Sequence, residues 1–159
     1  MARPPRVDAP GSWFFVTTVT HGRRAFLARP SAARAVLEAL GELRTEERVL
    51  VAAYVLMPDH VHAILLPTRA NLSDLMRRWK SLSWHRCREA AGLRTRLWQE
   101  GFFDRGIRSP RQLAAQIDYI HLNPIRAGLV DGAEQWPWSS IHAYLGRPAP
   151  LEVDQVDGD

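Results

Sequence analysis

The chain has 159 residues and a mass of 18.0 kDa, enough for one domain to fold around its own core without disulfide staples. With 46% apolar and 24% charged residues it lies outside the composition of disordered chains, and no stretch reaches the run of about 18 apolar residues that a membrane helix requires. The net charge of +4 rests on 20 arginines and one lysine, Lys80; arginine's planar fork suits phosphate and stacks on bases, which favours a nucleic-acid partner, although a GC-rich genome enriches arginine too.

Met1 to Gly11 is rich in proline and reads as a loose start with no signal-peptide apolar stretch, so the expected location is the cytoplasm. The lone Cys87 cannot form an internal disulfide, in keeping with a reducing compartment. Trp13 to Thr20, dense in aromatic and β-branched residues, predicts a first strand, and His21-Gly-Arg-Arg24 a basic loop. Ser31 is the expected N-cap of a helix running to about Glu47, with Val36, Leu37, Leu40 and Leu43 at helical spacing. Two nearly continuous apolar runs follow, Val49 to Met57 and His60 to Leu66, separated only by Pro58-Asp59. That pattern predicts an antiparallel hairpin of central strands covered on both faces.

Asn71 caps a second predicted helix, to about Ala91, whose Leu72, Leu75, Met76, Trp79 and Leu82 form one apolar stripe. Arg96 to Ile107 reads as a fourth strand or hairpin around Gly101. Ser109-Pro-Arg-Gln112 is a strong helix start, with a serine cap, proline in the first turn and glutamine closing a capping box. Pro124 biases Asn123 away from helical geometry, so this third helix is expected to end near Leu122. The order of elements predicts an α+β fold: a ferredoxin-like split β-α-β antiparallel sheet with two helices on one face and an additional C-terminal helix. One domain spans 1–159, with a core from about 10 to 145. The segment from Arg147 reads as a loose, acidic end, and setting aside its Glu152, Asp154, Asp157 and Asp159 leaves a body of about +8.

Residues two apart on a strand point to the same side, so His60 and His62 converge while Val61, Ala63 and Leu65 face the opposite way into packing. Imidazole is the commonest metal ligand, but most His-x-His pairs are surface histidines. Burial in an otherwise apolar strand sets this pair apart, since unpartnered imidazoles there are costly. On the third helix Gln112, Gln116, Tyr119, Asn123 and Arg126 form a polar stripe, and Leu113, Ile117 and Ile120 a core stripe. A tyrosine in such a stripe is ordinarily a half-buried surface residue, and Asn123 before proline is equally read as a cap.

Taken in order, Leu56-Met-Pro-Asp-His-Val-His-Ala63, Leu97-Trp-Gln-Glu-Gly-Phe-Phe-Asp-Arg-Gly-Ile-Arg108 and Asp118-Tyr-Ile-His-Leu-Asn-Pro-Ile-Arg-Ala-Gly-Leu-Val130 resemble the REP-associated tyrosine transposases. These are relatives of the single-tyrosine HUH insertion-sequence transposases, and the resemblance runs from about Pro10 to Tyr144. It implies metal-binding histidines at His60 and His62, a nucleophile at Tyr119 and a third metal ligand at Asn123, where the insertion-sequence branch usually shows glutamine. It implies a divalent cation, Mg²⁺ or Mn²⁺, a 5′-phosphotyrosine intermediate with a free 3′-hydroxyl, and single-stranded or hairpin DNA as substrate. An incomplete cage of three side chains leaves coordination positions for the scissile phosphate.

Single-stranded DNA is gripped by positive charge and by aromatic platforms. The expected contacts are Arg23 and Arg24 in the first loop, Arg77, Lys80 and Trp84 on the second helix, Arg105 and Arg108 before the third, and Arg126 on it. Each also reads as an ordinary solvated residue. Trp136 and Trp138 are expected to pack on the sheet. A monomer is the expected state, since REP-associated relatives can act as monomers whereas insertion-sequence relatives exchange tyrosines in dimers. Two rivals share these residues: a metal-dependent nuclease that uses water, and a hairpin-binding regulator that has lost catalysis.

Overall fold

The computed structural model describes residues 12–156, so the start from Met1 to Gly11 and the acidic Asp157 and Asp159 lie outside the described residues. The alternating apolar pattern at the beginning forms β1 (Phe14–Val19), whose Phe14 and Val16 are buried on one face while Phe15 and Thr17 point to the other. After two short 3-10 turns comes α1 (Pro30–Thr45). Its N-cap is Arg29 rather than the expected Ser31, because Pro30 takes the first helical position, where its fixed φ fits and its missing N–H is no loss.

The hairpin forms as expected, β2 (Val49–Met57) and β3 (His60–Pro67) pairing antiparallel across Pro58-Asp59, but only β3 is a central strand: β2 lies at the sheet edge, and its apolar run reflects burial of both its faces rather than a central place. A bulge between Val51 and Ala53 shifts the alternation, so Val49, Val51, Tyr54 and Leu56 enter one core cluster and Ala52, Ala53, Val55 and Met57 the other. Next, α2 (Leu72–Ala91) is capped at both ends: Asn71 accepts from the Asp74 amide, and Gly92 ends the helix in the left-handed conformation. The fourth strand is shorter than the sequence implies. Only β4 (Phe103–Gly106) pairs along its length; residues 96–102 pair with the sheet through a single bridge, between Thr20 and Trp98, while Leu97, Trp98 and Phe102 bury in the core.

The sheet order is β2-β3-β1-β4 with antiparallel neighbours throughout, the ferredoxin-like arrangement. Alanine-rich α1 packs closely on α2, and both cover the face carrying Phe14, Val16, Val61, Ala63 and Leu65. The opposite face is covered by α3 (Pro110–Arg126), whose Leu113 and Ile120 bury against Ile64 and Val55. Ser109 caps it as expected, accepting from the Gln112 amide. Pro124 does not end it. The proline forgoes one hydrogen bond and is itself buried, and the helix continues to close through the Ala127 amide on the Asn123 carbonyl. Asn123 and Arg126 therefore stay in helical register with Tyr119.

A second departure is the C-terminal segment. It is not loose through residue 156: after α4 (Ile141–Tyr144) the chain returns along the outer edge of β2. The Asp154 amide donates to the Val51 carbonyl at 2.7 Å, the Asp154 carboxylate accepts from the Val51 amide at 2.8 Å, and Arg44 donates to the same carboxylate at 3.0 Å through two nitrogens. Leu151 sits so near α1 that a Cβ on Gly41 would meet it at 3.2 Å. Glu152 lies 3.8 Å from Arg44, so two of the four acidic residues set aside from the body are paired with it. The tryptophans pack as expected, Trp136 against one core cluster and Trp138 against the other. No helix among the described residues is long and apolar enough to cross a membrane.

Candidate active site

Strand alternation aims His60 and His62 at the α3 side of the sheet, with ring centroids 4.7 Å apart. Each imidazole has its Nδ1 engaged. His60 Nδ1 donates to the Asp59 carboxylate at 2.7 Å, and His62 Nδ1 lies 2.8 Å from Thr17 Oγ1 on the neighbouring strand. A partner on Nδ1 orients the ring and leaves Nε2 for a ligand, the support that metal-binding histidines regularly have. Burial, reinforced by the nearby His60, pushes the His62 imidazole down to about 3, so it is neutral at physiological pH and has the lone pair that ligation needs. For Asp59, burial acts to raise the carboxyl, but its hydrogen bond and electrostatic interaction with His60 and the charge of Arg23 outweigh it and hold the group below the usual range.

Tyr119 projects from α3 over this pair. Its ring centroid is 5.7 Å from that of His62 and 5.9 Å from that of Phe15, which also contacts His62 at 5.2 Å. The tyrosine is 39% exposed, so its ring is held by neighbours while solvent and substrate can reach it. Arg126, seven residues or about two turns further along, lies over the same ring with its guanidinium carbon 5.3 Å from the centroid. The helix continuing through Pro124 is what makes this contact. Tyr119, His62, Phe15, Phe103, Arg105 and Arg126 all line one open cleft of about 750 Å³.

The structure thus brings together Tyr119, His62, Arg105 and Arg126, with His60 directly beside His62. Asn123 is half-buried one turn beyond Tyr119, and neither it nor His60 contributes to the cleft wall. Arg23 reaches Asp59 at 3.5 Å from a left-handed backbone position and Arg24 is exposed in the same loop. Arg108 is exposed at the entry to α3. The three α2 residues are not brought to the cleft, because α2 packs on the opposite face of the sheet. There Lys80 donates to the Gln99 and Gly101 carbonyls, Trp84 donates to the Thr95 carbonyl, and Arg77 pairs with Asp74 at 3.1 Å. Their helical periodicity shows only that they leave the apolar stripe, not which side of the molecule they reach.

Sequence reasoning missed Thr17, Asp59, Phe15 and Phe103. Asp59 was legible only as a turn residue, although its place directly before His60 is what lets it hold that ring. Thr17 and Phe103 carry no local signal, since the register that sets them beside His62 joins strands far apart in the chain. Among the described residues no group of three histidine, cysteine or carboxylate side chains is placed to hold a metal.

Comparison with known proteins gives a consistent answer. The family model described as "Transposase IS200 like" matches residues 12–122. A REP-associated tyrosine transposase of Escherichia coli K12 is 26% identical over 137 residues, covering 86% of this chain and 80% of that protein. The solved structure of a REP-associated tyrosine transposase bound to a REP hairpin superposes with a TM-score of 0.74 at 26% identity, covering 99% of this chain and 94% of the other. A solved Deinococcus radiodurans protein shares the fold, with a TM-score of 0.55 at 19% identity over 74% of this chain and 95% of its own.

Proposed function

Because the chain belongs to the IS200-like transposase family, we propose that it nicks and rejoins single-stranded DNA beside hairpins, with Tyr119 as the nucleophile. The observation that carries this reading is the approach of the Tyr119 ring to within 5.7 Å of His62, in a cleft open to solvent and flanked by Arg105 and Arg126.

The residues present fit a divalent cation. His60 and His62 have Nδ1 occupied and Nε2 left, His62 is neutral, and Asn123 on the same helix as Tyr119 is the third donor the resemblance implies. When bound there, Mg²⁺ or Mn²⁺ would supply Lewis-acid polarisation of the scissile phosphate. The chain's own groups do the rest. Arg105 and Arg126 draw the phosphate backbone into the cleft and pair with its charge. Phe15 and the Arg126 guanidinium both contact the Tyr119 ring, which limits the freedom it has to lose when it meets the phosphate.

In the forward step the Tyr119 oxygen forms a bond to phosphorus and loses its proton, and the bond from phosphorus to the 3′ oxygen breaks. That oxygen leaves with a proton as a free 3′-hydroxyl, and the protein keeps a 5′-phosphotyrosine. The number of phosphoester bonds is unchanged, so attack by a 3′-hydroxyl reverses the step and joins strands without a nucleotide cofactor. The action is read as that of a monomer, since the Tyr119 ring approaches His62 of its own chain at 5.7 Å. The substrate is read as a DNA hairpin with a single-stranded extension, by likeness to the solved relative that holds a REP hairpin, and the site of action as the cytoplasm.

Incubation with 3′-labelled single-stranded hairpin DNA and Mn²⁺ tests this. The label should migrate with the protein on a denaturing gel, and Tyr119→Phe should remove that band. A nuclease that uses water gives cleavage with no adduct, and a hairpin-binding regulator gives salt-sensitive binding with neither.

A further inference from the structure

β4 carries a large aromatic ring outside the buried core. Consecutive residues on this strand face opposite ways: Phe102 is buried at 9% exposure, whereas Phe103 is 60% exposed. The strand registers explain where that ring stands. His62 pairs with Thr17 and Thr17 pairs with Phe103, so the three lie on one line across β3, β1 and β4. Two strand spacings separate the ends of that line, which sets the Phe103 backbone about 10 Å from that of His62. Thr17, the middle member, is the residue that engages His62 Nδ1.

Arg105 follows two residues on, pointing to the same face, and Phe103, Arg105, Tyr119 and Arg126 line the same cleft. We propose that Phe103 is a stacking platform for one unpaired base of the DNA strand, adjacent to the phosphate that Tyr119 attacks. This rests on the reading of the cleft as a DNA-cleaving site. The occupant follows from what lines the cleft: the Arg105 and Arg126 guanidinium groups match a phosphodiester backbone, and the well-exposed Phe103 ring at the cleft wall matches the flat face of one base. Stacking tolerates any base, so Phe103 contributes affinity and sets which nucleotide lies beside the scissile bond without reading its identity.

The test measures binding of the full chain to a fluorescent DNA hairpin carrying a single-stranded extension, by anisotropy in Ca²⁺ or without metal, for the natural protein, Phe103→Ala, Phe103→Leu and Phe103→Trp. Stacking on an aromatic side chain is worth about 1–3 kcal/mol per base, so alanine and leucine should weaken binding about 5- to 150-fold and tryptophan should retain it. The melting temperature of each variant, measured alongside, separates a loss of stacking from a loss of folding. A scan of abasic sites along the extension should then find one position where loss of the base weakens the natural protein but has no further effect on Phe103→Ala. Equal affinity of Phe103→Ala and the natural protein, or losses that add independently at every abasic position, would overturn the proposal. Adduct formation in Mn²⁺ is scored separately. If the natural protein forms the adduct while Phe103→Ala binds normally, the platform fails and the cleavage reading stands. If the natural protein neither binds the extension nor forms an adduct, both fail together.

Discussion

Asp59 occupies a two-residue turn where many polar residues would serve, yet its carboxylate reaches both His60 Nδ1 and the Arg23 guanidinium. Groups of this kind tune ligation through the ring they hold. Asp59→Ala should therefore lower Mn²⁺ affinity about 10- to 100-fold, read by electron paramagnetic resonance of free Mn²⁺, while metal-free DNA binding changes little. Thr17→Val should act in the same direction through His62. Cys87 gives a contrasting case. It is fully buried and burial pushes its thiol up to about 11, so the native protein holds it as the unreactive protonated form. Alkylation should stay slow as pH rises from 7 to 9, where an exposed thiol accelerates toward its pKa of about 8.5, and should become fast only in denaturant. Rapid modification of the folded protein at pH 8 would contradict the packing of α2 on α1.

At the level of elements, α3 carries the tyrosine and depends on few local devices. Ser109→Ala removes an exposed N-cap and should cost about 1 kcal/mol, seen as a fall of about 2–4 °C in melting temperature. The larger matter is its C-terminal end. Proline chemistry predicts a break before Pro124, because the ring excludes a hydrogen bond and restricts the residue before it. The helix persists because Pro124, Ile120 and Leu113 are buried, and because His121 bonds to Ser140 at 2.8 Å, tying the helix to the segment that follows. Local preference is worth a few kcal/mol at most and yields to the burial of an entire helix face. The lone imidazole pair on β3 is likewise a weak local signal. It gains meaning only when the hairpin is seated next to β1 and under α3.

For the molecule as a whole, the segment beyond α4 has a clear structural role. β2 is a nine-residue, almost wholly apolar edge strand, and an uncovered edge of that kind invites pairing with another chain. Residues 138–140 and Asp154 bond to its outer side, Arg44 locks the Asp154 carboxylate, and the Tyr54 hydroxyl donates to the Leu151 carbonyl at 2.7 Å. Truncation before Arg147 should lower the melting temperature and shift the protein toward self-associated species on size-exclusion chromatography. Asp154→Ala should be milder, about 1–3 kcal/mol, because it removes the carboxylate's bonds to Arg44 and Val51 while Leu151 still packs. A truncated protein that stays monomeric and equally stable would show that the edge needs no cover.

Much of the arrangement was legible from short-range patterns. The hairpin, the caps at Asn71 and Ser109, the two-faced sheet and the alternation that turns His60 and His62 to one side all follow from periods of 2 and 3.6 residues and from turn chemistry, which act within a few positions. The ordered motifs around His60, Tyr119 and Asn123 were enough to identify the family. What required the folded chain was everything spanning long loops: the line from His62 through Thr17 to Phe103, the Arg126 guanidinium above Tyr119, the consignment of Lys80 and Trp84 to the far side, and the docking of the acidic segment on β2. These contacts join residues whose meeting depends on strand register and helix placement across the whole sheet. Their energies come from burial shared by many residues, so no local stretch of sequence can encode them alone.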